Sequence, residues 1–202
     1  MAALSGVLFW QFVQKDPETD VGIRLARFAV FFAFTGVLLT LSFIDLDTQR
    51  LPDIITLPSI PVFFAAGFSL HMASWLERLA GLAAGYLAVR LIADGYYYLR
   101  GREGLGLGDG KLLAVVGALL GWKALPVVVF AASLLGVLVS LPLLWWGARQ
   151  KRRDGSQPPH EEPESLRYSQ VPFGPFLAAS GVAYVLLFER LAPLVGLWLM
   201  PQ

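Results

Sequence analysis

The chain of 202 residues contains no cysteine. That excludes disulfides, thiolate metal sites and a thiol nucleophile. Histidine is almost as scarce: only His71 and His160 occur, too few for a histidine-rich centre, and neither is assigned as a metal ligand. No metal or other cofactor is expected. Charge is also thin, at 15% of residues against roughly 25% in an average soluble domain. Sixteen Lys and Arg against fifteen Asp and Glu leave a formal net charge of +1. The broad basic field used to hold nucleic acid is missing, so no nucleic-acid partner is expected. Hydrophobic residues fill the space instead, at 56% with a mean hydropathy of +0.60. That is more apolar surface than a 22.1 kDa interior can hold, and it points to a bilayer as solvent.

The distribution of the apolar runs predicts an all-α, polytopic transmembrane bundle of about six to seven membrane helices. Residues 28–44, FAVFFAFTGVLLTLSFI, carry no charge over seventeen positions. At ~1.5 Å per residue they nearly cross a ~30 Å hydrocarbon core. A second span covers about 54–72, with Pro58 and Pro61 expected in its first turn, where missing donors cost little. A third, about 79–99, contains Arg90 and Asp94 at i, i+4 spacing, able to neutralise each other on one face. Residues 112–120 form a short run, with loop residues ahead of it available to extend it. A fifth span covers about 124–147, a sixth about 173–188, and 191–200 is a short seventh segment or a surface-lying one. The whole of 1–202 reads as one membrane-embedded domain, with 1–27 an interfacial helix or partial span and 148–172 a polar loop.

Positive charge sets the expected orientation. If every span from residue 28 onward crosses, nine Lys and Arg (Arg50, Arg100, Arg102, Lys111, Arg149, Lys151, Arg152, Arg153, Arg167) share one side and six the other. The richer side is expected to face the cytoplasm. It also carries both IDLDTQRLPD and GLGDGK.

Carboxylates at a membrane edge are costly, by roughly 2.5–3.5 kcal/mol at a helix centre on insertion scales, and so need a reason. Asp45 directly follows the first apolar span, and Asp109 directly precedes an apolar run on the same side. Held close, two carboxylates share a proton, leaving one as a base for water and the other as an acid for a carbonyl. Around Asp109 the stretch Gly104, Gly106, Gly108, Gly110 places a glycine at every second position. The missing side chains let another backbone approach closely and permit φ > 0 geometry, so an extended substrate strand could lie there. On spacing alone a second reading stands beside this one, in which the loop is merely flexible and Asp109 caps the next helix.

Three segments in order, SFIDLDTQRLPDIITLP, GLGLGDGKLLAVVGALLGW and VPFGPFLA, resemble the membrane domain of bacterial type IV prepilin leader peptidases, which are GxGD intramembrane aspartyl proteases. The resemblance covers about residues 28–188. It implies catalytic aspartates at Asp45 and Asp109, with Gly106, Gly108, Gly110, Lys111 and Asp53 shaping the site or binding substrate. It also implies an aspartic endopeptidase that removes the basic leader from type IV prepilins or type II secretion pseudopilins, after a Gly, at the cytoplasmic edge of the inner membrane. Partners are then those substrates and membrane lipids, with homo-oligomerisation left open. Many family members also carry an N-terminal cytosolic module with two CxxC pairs, associated with methylation of the new N-terminus. With no cysteine and 27 residues ahead of the first span, the sequence is expected to carry over the peptidase, and the methyltransferase is doubtful.

Other residues have simpler readings. Asp53 suits a helix start, and Lys111 suits a membrane edge. Gly81, Gly85, Gly117 and Gly121 follow the small-xxx-small spacing of closely packed membrane helices. Two other classes stand beside the peptidase: an ion-coupled transporter subunit, which would spread its acids through the bilayer, and a catalytically silent scaffold for pilin-like substrates.

Overall fold

The computed structural model describes residues 2–14, 20–70, 73–100, 106–153 and 173–199, and they are helical with no strand among them. The helices are α1 (Ala2–Phe9) with a π-helical turn (Trp10–Gln14), α2 (Val21–Thr48), α3 (Asp53–Leu70), α4 (Trp75–Arg100), α5 (Leu107–Leu120), α6 (Ala124–Arg153) and α7 (Gly174–Leu199). Two of them, Val21–Thr48 and the Ala124–Pro142 part of α6, are long and apolar enough to cross a membrane. Shorter apolar stretches lie at Ala2–Gln14, Asp53–Phe68 and Gly174–Leu187. The all-α class therefore stands, while two clear spans replace six or seven as what helix length and composition support.

Several boundaries differ from the hydropathy pattern for one physical reason: charged residues interrupt an apolar run without interrupting a helix. α2 extends through Arg24 and Arg27 at one end and Asp45 and Asp47 at the other. α6 runs on through Arg153, so residues 148–153 are helix rather than loop. α7 passes Glu189 and Arg190 unbroken, which joins the expected sixth and seventh segments into one helix. Pro58 and Pro61 fall inside α3, not in its first turn, because α3 already starts at Asp53. Each therefore removes an interior i→i−4 bond. His71, His160 and the remainder of the polar loop, 154–172, lie outside the described residues.

The core centres on α5, whose buried Leu112, Val115, Val116 and Leu119 belong to one cluster with Phe31, Phe34, Leu38 and Leu41 of α2, Phe63 of α3 and Leu177 and Val182 of α7. α5 packs on α3, α4, α6 and α7, and α2 packs on α3 and α7. The α4–α5 seam is the closest. The expected glycine spacing explains it: a Cβ on Gly81 would lie 2.6 Å from the Gly117 carbonyl oxygen, and one on Gly85 2.7 Å from that of Leu113. Without those side chains the backbones meet directly. The N-terminal segment packs on α2, with Leu8 buried, Phe12 stacked on Phe31 at 4.6 Å and Gln11 Nε2 donating to the Val185 carbonyl of α7 at 3.4 Å. Large apolar side chains remain exposed along α6, among them Phe130, Leu134, Val137, Leu138 and Leu141, a surface suited to lipid rather than water.

Candidate active site

α2 ends just beyond Asp45. Gln49 adopts the left-handed conformation at φ 52° and donates its N–H to the Asp45 carbonyl at 2.9 Å, closing the last turn. Thr48 Oγ1 then ties the Ile44 and Arg50 carbonyls, at 2.8 and 3.0 Å. Pro52 follows, disfavouring helix at Leu51, and its own carbonyl accepts from Ile55 and Thr56 to start α3. The sequence LPD thus makes a short turn that places Asp45, Leu51 and Asp53 around one point.

The start of α5 meets that point. The helix begins at Leu107, so Gly108, Asp109, Gly110 and Lys111 are its first turn rather than loop. Gly106 alone of the described loop glycines is extended, at φ −70° and ψ 120°, and its carbonyl accepts the Asp109 N–H at 3.1 Å. Gly104 lies outside the described residues. Asp109 does not cap the helix either: the cap position is Gly106, with no side-chain bond. The alternate glycines serve packing. A Cβ on Gly108 would sit 3.0 Å from Leu51 Cδ1, and one on Gly110 3.1 Å from Val89 Cβ of α4. Lys111 is not left to the membrane edge but forms an ion pair with Asp53, bridging α5 and α3.

Asp45 is buried, at 6% exposure, and its carboxylate interacts electrostatically with Asp109. Two carboxylates within electrostatic reach resist simultaneous ionisation. The five residues expected to surround them are placed as follows: Gly106, Gly108 and Gly110 shape the α5 turn, and Lys111 and Asp53 pair beside it. One contact was not anticipated. The backbone of Gly174, at the start of α7, lies against the Asp45 carboxylate, so closely that a Cβ on Gly174 would overlap Asp45 Oδ2. The glycine followed by proline in VPFGPFLA was the available signal, since a helix start written that way leaves one free donor and no side chain. Among the described residues no group of three or more His, Asp or Glu is arranged to hold a metal ion.

The type IV leader peptidase family profile matches residues 32–141, a stretch that contains both aspartates and the turns that place them. The chain belongs to that family. Curated relatives agree: the chain is 41% identical over 152 residues to a prepilin leader peptidase/N-methyltransferase of Burkholderia pseudomallei, covering 75% of this chain and 44% of that protein. It is 37% identical over 147 residues to the protein of the same name from Aeromonas hydrophila, covering 73% and 45%. The Pseudomonas aeruginosa protein of that name is 32% identical over 180 residues, covering 89% and 53%. The chain thus spans about half the length of the relatives it matches. No solved structure matches it. Members of the type IV leader peptidase family are membrane-associated, in keeping with the two apolar spans.

Proposed function

We propose that this chain is a prepilin leader peptidase acting through the pair Asp45 and Asp109. The observation that carries the reading is their convergence. A buried carboxylate at the end of α2 and a carboxylate in the first turn of α5 interact, in a member of the type IV leader peptidase family. In this reading one ionised aspartate takes a proton from water while its protonated partner polarises the scissile carbonyl, giving a gem-diol with no covalent enzyme intermediate. Collapse of the diol returns the proton to the leaving amine. Gly106, Gly108 and Gly110 keep side chains out of the α5 turn, and the Asp53–Lys111 pair braces that turn against α3.

The substrates are the basic leaders of type IV prepilins or type II secretion pseudopilins, cut after a Gly. α2 to α7 are read as the membrane helices, six in all, lying in the bacterial inner membrane. The nine-to-six bias of Lys and Arg supports a cytoplasmic position for the aspartates.

The test is co-expression with a prepilin bearing a basic leader and a Gly-Phe junction, following leader loss and the mature N-terminus by mass spectrometry. Cleavage after Gly is expected. It should vanish in Asp45→Asn and in Asp109→Asn while both variants still insert. Substantial cleavage by either variant removes that aspartate from the mechanism, and no cleavage by the inserted parent chain removes the proposal.

A further inference from the structure

We infer that Gly174 is a positioning residue for Asp45: its backbone N–H orients the Asp45 carboxylate toward Asp109, and its lack of a side chain is what lets α7 come close enough to do so. The inference rests on the peptidase reading above. Three observations support it.

The first is the start of α7. The Phe173 carbonyl accepts the N–H groups of Phe176 and Leu177, both at 3.1 Å, so Gly174 and Pro175 are the opening residues of the helix. Their donors have no partner within the helix. Pro175 has none to offer, which leaves the Gly174 N–H as the free donor of this pair. It stands against the Asp45 carboxylate.

The second is space. A Cβ at position 174 would overlap Asp45 Oδ2, with Asp45 Cγ at 3.0 Å and Cβ at 3.4 Å. Any side chain there displaces the carboxylate, α7 or both. The third is asymmetry. Asp45 has the start of another helix against its carboxylate, while Asp109 stands in the first turn of its own helix.

Asp45 also sits near the end of α2, where helix carbonyls offer a carboxylate nothing. Its orienting partner therefore has to come from another element. α7 supplies it and is held at that depth by its own buried residues, Leu177, Ala178 and Val182. Position 174 thus sets the rotamer of an acid on a helix remote from it in sequence.

Gly174→Ala tests this in the full chain, with Gly95→Ala as control because a Cβ there meets nothing within 4 Å. We expect kcat for prepilin cleavage to fall by about 100-fold, the scale of an ångström-level misplacement, with KM within about twofold of the parent. The second readout needs no substrate. Carbodiimide modifies protonated carboxyls, and the share of label on Asp45 relative to Asp109 is expected to rise in Gly174→Ala and stay unchanged in Gly95→Ala. A purely structural role would lower the amount of folded protein without moving either the kcat of the folded fraction or the label ratio. A kcat within about threefold of the parent, or an unchanged label ratio, overturns the inference. If Gly174→Ala does not accumulate, a semisynthetic chain in which the 173–174 amide is an ester removes the N–H without adding a side chain, an ester at 172–173 controls for a weakened helix start, and the same two readouts decide. Failure of the parent chain to cleave would count against the peptidase reading, whereas the label ratio judges Gly174 on its own.

Discussion

Adding one methyl group at Gly81 tests how far the site depends on the α4–α5 seam. The new Cβ lies 2.6 Å from the Gly117 carbonyl oxygen and 2.7 Å from both the Gly121 carbonyl carbon and the Trp122 nitrogen. All three neighbours are backbone, so no side chain can swing aside. The seam must open by about 0.8 Å before these become ordinary contacts, and overpacking of this kind costs about 1–3 kcal/mol. α5 carries Asp109, so the same displacement reaches the carboxylate pair and is expected to lower cleavage by about 10- to 100-fold. Gly117→Ala should behave alike, because its Cβ overlaps the Gly81 carbonyl. The double variant should fall short of additivity, since a seam opened for one methyl already admits the other. The measurements are denaturant unfolding of the purified chain and the initial rate of prepilin cleavage. Gly95→Ala, pointing into open space, should hold its rate and gain at most about 1 kcal/mol from helix propensity. If Gly81→Ala matched the parent in both stability and rate, direct backbone packing would not be what positions α5.

Other perturbations have smaller or more local consequences. Asp53 is 56% exposed, so neutralising it or Lys111 should change stability by less than about 1 kcal/mol, yet a double-mutant cycle on cleavage rate should show coupling; independent effects would rule out a bracing role. Arg78 is buried, donates from Nη1 to the Phe64 carbonyl at 2.7 Å and lies 4.3 Å from the Phe68 ring centroid. Arg78→Lys should lose the planar stack and cost about 1–3 kcal/mol by denaturant unfolding, and an unchanged midpoint would refute that.

Much of this architecture was legible as sequence because hydropathy and glycine spacing act locally. The α2 run and the Gly81, Gly85, Gly117 series translate into a span and a seam without knowledge of the remaining chain. The Arg90–Asp94 pair forms as its spacing implies, at 3.1 Å. Helix ends were less legible, since Arg24, Asp45, Glu189 and Arg190 are good or tolerable helix residues that lower hydropathy. The alternate glycines around Asp109 misled for a related reason. Their run suggests a loop open to a substrate strand, but Gly108 and Gly110 lie in the first turn of α5 and answer to Leu51 and Val89, contacts from distant segments that no local pattern encodes. The Gly174 donor was hidden for the same cause: nothing near position 174 in sequence shows that Asp45 lies against it.

The two acids ride on helices that share no extensive seam with each other. Asp109 travels with α5, which the glycine interlock fastens to α4, while Asp45 travels with α2 and is gripped by the start of α7. α3 and α7 touch both sides. The spacing of the pair is therefore set through α3 and α7 rather than by direct packing of α2 on α5. Substitutions deep in the α3–α5 or α2–α7 contacts can change that spacing while leaving every residue around the acids intact. A loss of activity mapped there would report on the spacing and not on the acids themselves.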